Sequence, residues 1–328
     1  MDYKVPFYEK VDDKIRCRIC PHNCLIKEGH FGVCRNRTVE NGKLVATNYG
    51  EVTSAAIDPI EKKPLYHFKP SKNILSIGSF GCNMTCSFCQ NYKISQKRAR
   101  SEYVDIDELI STISDIDNNI GIAFTYNEPM MWYEYMYNTA KRIKEINSEL
   151  SVVVVTNGYI NEEPLKKLLP YIDAMNIDLK GYTNSYYKRI CGAKLEPVLD
   201  TIKISAENCH VEITTLLVSD ENDSLEEVSE ISKFIKSVDD KIPLHLSRYF
   251  PKYKMENEAT QIEKILKARE EAKKFLKYVY VGNVNNVDNN TYCIHCGKPI
   301  IVRDGYRTEI KLNNNRCVFC GKEVDIII

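Results

Sequence analysis

Short apolar runs alternate with longer amphipathic stretches along the middle of the chain. The runs NILSIG (73–78), GIAFTY (121–126), VVVVTN (152–157), AMNIDL (174–179), VEITTLLV (211–218) and PLHLS (243–247) are rich in β-branched and aromatic residues and read as strands. The stretches between them carry helix-start signals. Asp105 stands three residues before Glu108, and Ser224 three before Glu227, the spacing of a capping box whose side chains satisfy orphan amides. Pro129 suits the first turn of a helix through MMWYEYMYNTAKRIKEI, and the tyrosines of 131–137 recur at helical spacing, so they read as packing surface. Six βα units in succession predict an α/β fold, a partial (βα)6 TIM-like barrel whose strands are buried on both faces and whose catalytic loops gather at the C-terminal strand ends. The polar, turn-rich VGNVNNVDNNT (281–291) reads as a linker. The expected organisation is an N-terminal segment (1–68), the barrel (69–282) and a C-terminal module (288–328).

Composition narrows the setting. With 328 residues, 43% of them hydrophobic and 27% charged, the chain can bury one large core and carry a small appendage. No apolar run approaches the ~18 residues that span a bilayer, and the start MDYKVPFYEK lacks the apolar centre of a secretory signal, so a cytoplasmic protein without a membrane partner is expected. Lys and Arg number 45, as do Asp and Glu. A net charge of zero gives no global attraction for nucleic acid or an anionic membrane, although a local patch stays open.

The 13 cysteines change the picture most. They fall into tight clusters in a chain without a secretory signal, which points to metal ligands rather than disulfides. In FGCNMTCSFCQNY, Cys82, Cys86 and Cys89 are spaced C-x3-C-x2-C just past the first strand. Closed structural sites take four protein ligands, so three compact thiols suggest a metal centre left one ligand short, with the open position available for chemistry. The competing reading is a zinc loop completed by His67 or a distant cysteine.

Three thiolates in this spacing, with aromatic Phe88 before the last, resemble the signature of the radical S-adenosylmethionine superfamily. That resemblance implies a 4Fe–4S cluster on Cys82, Cys86 and Cys89, with its free iron chelated by S-adenosylmethionine, and a one-electron cleavage yielding a 5′-deoxyadenosyl radical. The segment TYNEP (125–129) stands where the family binds the amino group through a Gly-Gly-Glu-like segment, which assigns that task to Asn127 and Glu128. TNG (156–158) and DLK (178–180) are similar to the pyruvate formate-lyase activating enzyme group. By this likeness Thr156 and Asn157 border the cofactor, and Lys180, positioned by Asp178, meets the methionyl carboxylate. Asn91 and His245 also match group positions near the cofactor; His245 alone would equally suit a satisfied core histidine. Members of the group bind a monovalent cation through an aspartate where this chain has Val155. The order CRICPHNC, GVCRNR, DPIEKKPLYHF, the open trio, TYNEP, NIDLKG and a terminal pair of C-x2-C knuckles resembles, over nearly the whole chain, the radical enzyme of the AmmeMemoRadiSam system.

Two further cysteine sets remain. Cys293, Cys296, Cys317 and Cys320 form two C-x2-C-G knuckles, the arrangement of a zinc-ribbon-like cage, read as structural in preference to a partner-gripping tool. Cys17, Cys20, Cys24 and Cys34 follow C-x2-C-x3-C-x9-C and suit either zinc or a second iron–sulfur cluster that relays electrons or contacts substrate. Cys191 and Cys209 read as ordinary buried thiols, with Cys191 placed to face the cavity. The expected act is hydrogen abstraction from a protein or peptide, in the manner of a glycyl-radical activase. The expected partners are an electron donor such as flavodoxin or ferredoxin and a protein substrate or AMMECR- or Memo-like protein. Radical modification of a small metabolite or RNA base is the alternative, and an iron–sulfur and zinc electron-transfer scaffold the reading outside enzymology.

Overall fold

The computed structural model describes residues 6–328; the first five residues of the start read above for a secretory signal lie outside them. Strand Ser54–Pro59 runs antiparallel to Asn73–Gly78 at one edge of an eight-stranded sheet. From Asn73–Gly78 the order continues in parallel through Asn119–Phe124, Ser151–Thr156, Ala174–Asp178, His210–Leu217, Leu244–Arg248 and Val279–Gly282. Each parallel crossover carries a helix: Ile106–Asp115, Tyr133–Ile146, Glu162–Leu168, Glu196–Ala206, Leu225–Val238 and Ile262–Ala272. Two of these begin at the expected caps, where Ser224 Oγ accepts from the Glu227 amide at 3.1 Å and Asp105 from the Asp107 amide at 2.9 Å. Ile122, Ala123, Phe124 and Val152 to Val154 are fully buried, as strands covered on both faces must be. Among the described residues no helix is long and apolar enough to cross a membrane.

The sheet extends beyond the six strands read from the sequence. Val279–Gly282 pairs with Leu244–Arg248 as a seventh parallel strand, so the segment read as a linker begins inside the sheet. The signal is weak because the strand is only four residues long. The antiparallel strand Ser54–Pro59 comes from the segment assigned to the N-terminal region.

Side chains on a strand alternate between faces, and the two faces of this sheet differ in chemistry. One face joins the helices in the main apolar core. On the other, Ile74, Ala123, Val153 and Ala174 pack against Ile60, Leu65 and Phe68, so residues 60–68 form a floor under the sheet. Beside that floor lies a buried polar network. Glu212, fully buried, accepts from the His67 amide (2.7 Å), His210 Nε2 (3.0 Å) and His245 Nε2 (2.6 Å). Burial alone would raise the Glu212 carboxyl, but the two imidazoles outweigh it and hold it well below the usual carboxylate range.

The C-terminal hairpin, Pro299–Asp304 with Arg307–Ile310, has a small core of its own, yet it is fastened to the floor. Arg303 Nη2 donates to Tyr66 O at 2.8 Å, the Ile327 amide to His67 O at 2.8 Å, and the Lys69 amide to Ile327 O at 2.7 Å. A chain ended after Val287 is expected to melt at lower temperature, because each buried polar group stripped of its partner costs about 1–3 kcal/mol. A melting temperature equal to that of the full chain would show that the floor stands without the hairpin.

Candidate active site

The loop that follows the strand Asn73–Gly78 is held from several sides. Asn36 Nδ2 donates to Phe80 O (2.6 Å), while Asn127 accepts from the Ser79 amide (3.0 Å) and donates to Gly81 O (2.9 Å). The Thr85 and Ser87 amides donate to Cys191 O and Ile190 O. Gly81 has φ +89°, and a Cβ there would lie 2.3 Å from the Asn36 side chain, so the loop's close approach requires glycine. This clamping fixes the backbone that presents Cys82, Cys86 and Cys89.

All three thiols line one cavity of about 400 Å³ at the C-terminal ends of the parallel strands. The same wall holds Asn91, Asn127, Glu128, Thr156, Asn157, Asp178 and Lys180. Four sequence-distant segments thus meet because the parallel strands end in register, with Phe124 beside Ile77 and Val154, Thr156 beside Ile177, and Asp178 beside Thr214.

His245 is placed elsewhere. Ser247 lines the cavity, and His245, two residues earlier on the same face, sits one step lower, buried, with its imidazole turned to Glu212. In the structure His245 belongs to the polar network beside the floor and not to the cavity wall. His67, the candidate fourth ligand of a zinc loop, is likewise engaged, with Asp325 O at 2.9 Å and Tyr280 Oη at 2.7 Å.

The trio's spacing bears on what it can hold. Among the described residues, the only set of metal-ligating groups whose atoms all lie within 4.8 Å of one another is Cys293, Cys296, Cys317 and Cys320. Two sulfurs bound to one zinc at about 2.3 Å cannot be more than about 4.6 Å apart. Cys82, Cys86 and Cys89 are spread too widely for a single ion and suit the larger body of an iron–sulfur cluster. The C-terminal four fit zinc: Cys293–Cys320 and Cys296–Cys317 are both 3.8 Å apart, close to the edge of a zinc–thiolate tetrahedron.

Each thiol of the trio has its own electrostatic setting. Burial pushes Cys82 up, reinforced by Glu128, against a hydrogen bond of 3.3 Å from the Met84 amide. Asn157 Nδ2 also lies 3.6 Å from Cys82 Sγ and donates to Asn83 Oδ1 at 2.9 Å. Cys86 moves down because Cys191 donates to it and Lys180 faces it, although burial opposes the shift. Cys191 is thus a fully buried thiol behind the loop and does not line the cavity. Cys209 donates to Ser205 O, an ordinary core contact.

Lys180 Nζ pairs with Asp178 at 2.7 Å and lies 5.9 Å above the Phe88 ring. Burial opposes its charge, but Asp178 and the nearby thiols outweigh that and keep the ammonium firmly protonated. Glu128 accepts from Thr156 Oγ1 (2.6 Å), the Asn157 amide (2.7 Å) and the Met130 amide (3.0 Å), tying two strand ends together. Burial pushes its carboxyl up to about 7 despite these donors. Glu128→Gln would turn an amide N–H₂ toward one of the three donors, and is expected to destabilise the chain by about 1–3 kcal/mol in a denaturant titration. An unchanged midpoint would mean that the carboxylate does not brace the strand ends.

Sequence reasoning missed Asp58, Lys62, Lys63 and Tyr126 as site residues. Lys62, Lys63 and Tyr126 line the cavity, and Asp58 receives Lys63 Nζ (2.8 Å), Lys62 Nζ (3.0 Å) and Tyr126 Oη (2.9 Å). Burial would raise the Asp58 carboxyl, but these partners bring it down to about 2. The available signal was their place in DPIEKKPLYHF and TYNEP. Tyr126 also has φ +71°, the left-handed backbone that glycine adopts freely, at the segment compared with Gly-Gly-Glu. Asn91 Nδ2 donates to its carbonyl at 2.7 Å.

Residues 76–235 match the Radical SAM superfamily. The chain is 44% identical, over 98% of both chains, to an uncharacterized protein of Methanocaldococcus jannaschii. Over 46% of its length it is 26% identical to the 4-hydroxyphenylacetate decarboxylase activating enzyme of Clostridium scatologenes, spanning 52% of that enzyme. In fold it is similar to a radical SAM methyltransferase from Sphaerobacter thermophilus, with a TM-score of 0.52 at 13% identity, covering 65% of this chain and 67% of that one.

Proposed function

We propose, for a chain that belongs to the radical S-adenosylmethionine superfamily and resembles its pyruvate formate-lyase activating enzymes, that it abstracts hydrogen from a protein or peptide, as a glycyl-radical activase does. It is a radical S-adenosylmethionine enzyme, and that family works with a 4Fe–4S cluster and S-adenosylmethionine. Bound together, the pair supplies a carbon-centred radical able to take a hydrogen atom. The observation that carries this reading is the meeting of the trio with the Lys180–Asp178 pair around one cavity.

In this reading Cys82, Cys86 and Cys89 hold the cluster, while Asn157 and the Met84 amide donate to Cys82 and keep it in place. Lys180, fixed by Asp178, holds the methionyl carboxylate. Asn127 has both ends of its amide committed to the loop, so it acts as a brace. Glu128 braces the strand ends, and its cavity-facing side is left for the amino group. Asn91 secures the Tyr126 carbonyl beside them.

The parallel sheet is taken as an incomplete barrel, the C-terminal four thiols as a zinc ribbon, and residues 1–68, 69–282 and 288–328 as the functional divisions. The protein would work in the cytoplasm with a flavodoxin or ferredoxin as electron donor, and with an AMMECR- or Memo-like protein as partner or substrate. Lys62 and Lys63 in the wall favour, as a second reading, an anionic small molecule in the same cavity.

Anaerobic, reduced, iron-reconstituted protein is expected to release 5′-deoxyadenosine and methionine from S-adenosylmethionine. No release would sink the reading. Deuterium passing into 5′-deoxyadenosine from a labelled protein, rather than from a labelled small anion, then separates the two substrate classes.

A further inference from the structure

Cys17, Cys20, Cys24 and Cys34 lie outside the cavity and outside the function proposed above. The fold nevertheless gathers them. The hairpin Tyr8–Val11 with Lys14–Cys17 and the strand Leu25–Lys27 bring Cys17 to Cys24, whose backbones are joined by a hydrogen bond of 2.9 Å. Like-charge repulsion from the other thiols of the set reaches Cys17 and Cys20, and from Cys24 it reaches Cys34. Burial is the larger cause, pushing Cys17 up to about 11 and raising Cys20 and Cys34.

Cys17, Cys20 and Cys34 are buried, and the Val33 amide donates to Cys24 Sγ at 3.5 Å. Buried thiolates need a cation. Arg37 is 1% exposed, acts electrostatically on Cys17 and Cys34, and is paired with Glu134 at 2.7 Å. Its Nε is buried without a hydrogen-bond partner. The unspent guanidinium N–H is a donor available to an anionic metal–sulfur body.

The distances decide between one metal ion and several. The same chain closes its C-terminal cysteines to sulfur pairs of 3.8 Å, as one zinc requires. The N-terminal four are near neighbours, yet no three of them lie within 4.8 Å of one another, beyond the reach of a single zinc at about 2.3 Å per bond. We infer that Cys17, Cys20, Cys24 and Cys34 hold a polynuclear iron–sulfur cluster rather than zinc.

Position assigns its role. None of the four thiols lines the cavity, so the centre does not touch substrate. His22, between Cys20 and Cys24, donates from Nε2 to Asn83 O at 2.7 Å, and Asn83 follows Cys82. The His22 ring also packs 5.2 Å from Tyr159, whose carbonyl accepts from Asn83 Nδ2 at 2.6 Å. This route joins the two thiol sets directly and suits electron supply. One electron enters from a low-potential one-electron donor and leaves to the centre on Cys82, Cys86 and Cys89, so the N-terminal centre ends each passage in the state in which it began.

The test is the metal and sulfide content of the full chain, reconstituted anaerobically with iron, sulfide and zinc. About eight irons and about one zinc per chain are expected, taking both clusters as four-iron. About four irons, whether with one zinc or two, would overturn the inference without requiring any variant to fold. The triple variant Cys82→Ala/Cys86→Ala/Cys89→Ala should retain about four irons with a reduced-cluster paramagnetic resonance signal, and loss of all iron from a folded triple variant would also overturn it. Failure of the wild type to cleave S-adenosylmethionine while holding both clusters would sink the function proposed above and leave this centre standing.

Discussion

Cys86→Ala is expected to reduce S-adenosylmethionine cleavage to the uncatalysed background. Cys82→Ala and Cys89→Ala should do the same. Three thiols carry the whole attachment, so losing one removes the cluster rather than weakening its hold. Cys86 is the most informative of the three. Its thiolate faces Lys180 and receives Cys191, so its loss also takes a negative neighbour from that ammonium. The measurement is 5′-deoxyadenosine formation under anaerobic reduction, read beside iron content and circular dichroism. Wild-type cleavage by any of the three variants would remove the assignment of the trio. The N-terminal thiols do not line the cavity and offer no substitute there.

Lys180→Ala is expected to leave iron content unchanged and weaken S-adenosylmethionine binding by roughly 10- to 150-fold. A charge-assisted hydrogen bond contributes about 1.5–3 kcal/mol, which converts to that range. The structure adds a reason for a loss toward the upper end. Asp178 lies 2.7 Å from Lys180 Nζ and would be left without its partner beside the ligand, repelling the carboxylate it had helped to hold. Lys180→Arg keeps the charge and should recover part of the affinity. Equilibrium binding of S-adenosylmethionine to the iron-loaded variants is the measurement. Affinity equal to that of the wild type in Lys180→Ala would mean that the pair at this strand end serves the fold alone.

Much of the sheet was legible because buried parallel strands write themselves as β-branched runs. VVVVTN and AMNIDL were found within a residue of their observed ends. Val279–Gly282 escaped because four residues carry too little pattern. The cap at Ser224 was visible as local spacing, since its partner is three residues away. Cys82, Cys86 and Cys89 were legible for the same reason: ligands of one metal centre drawn from one loop must keep a short, fixed spacing.

The chain order alone was enough to specify the kinds of chemistry present: an open thiol trio, two closed sets of four, and a strand-end Asp-Leu-Lys. Which groups face one another depends on strand register and on what fills the sheet's inner face. His245 and Ser247 share that face two residues apart, and the rise along the strand sends one to Glu212 beside the floor and the other to the cavity. Lys63 reaches the cavity wall from the floor segment that follows the antiparallel edge strand, where it pairs with Asp58 of that strand. Whether four thiols close on one ion or spread around several is likewise a matter of distance in three dimensions. The spacing of the N-terminal cysteines allowed both, and the proposal of a cluster rests on how far apart the fold holds their sulfurs.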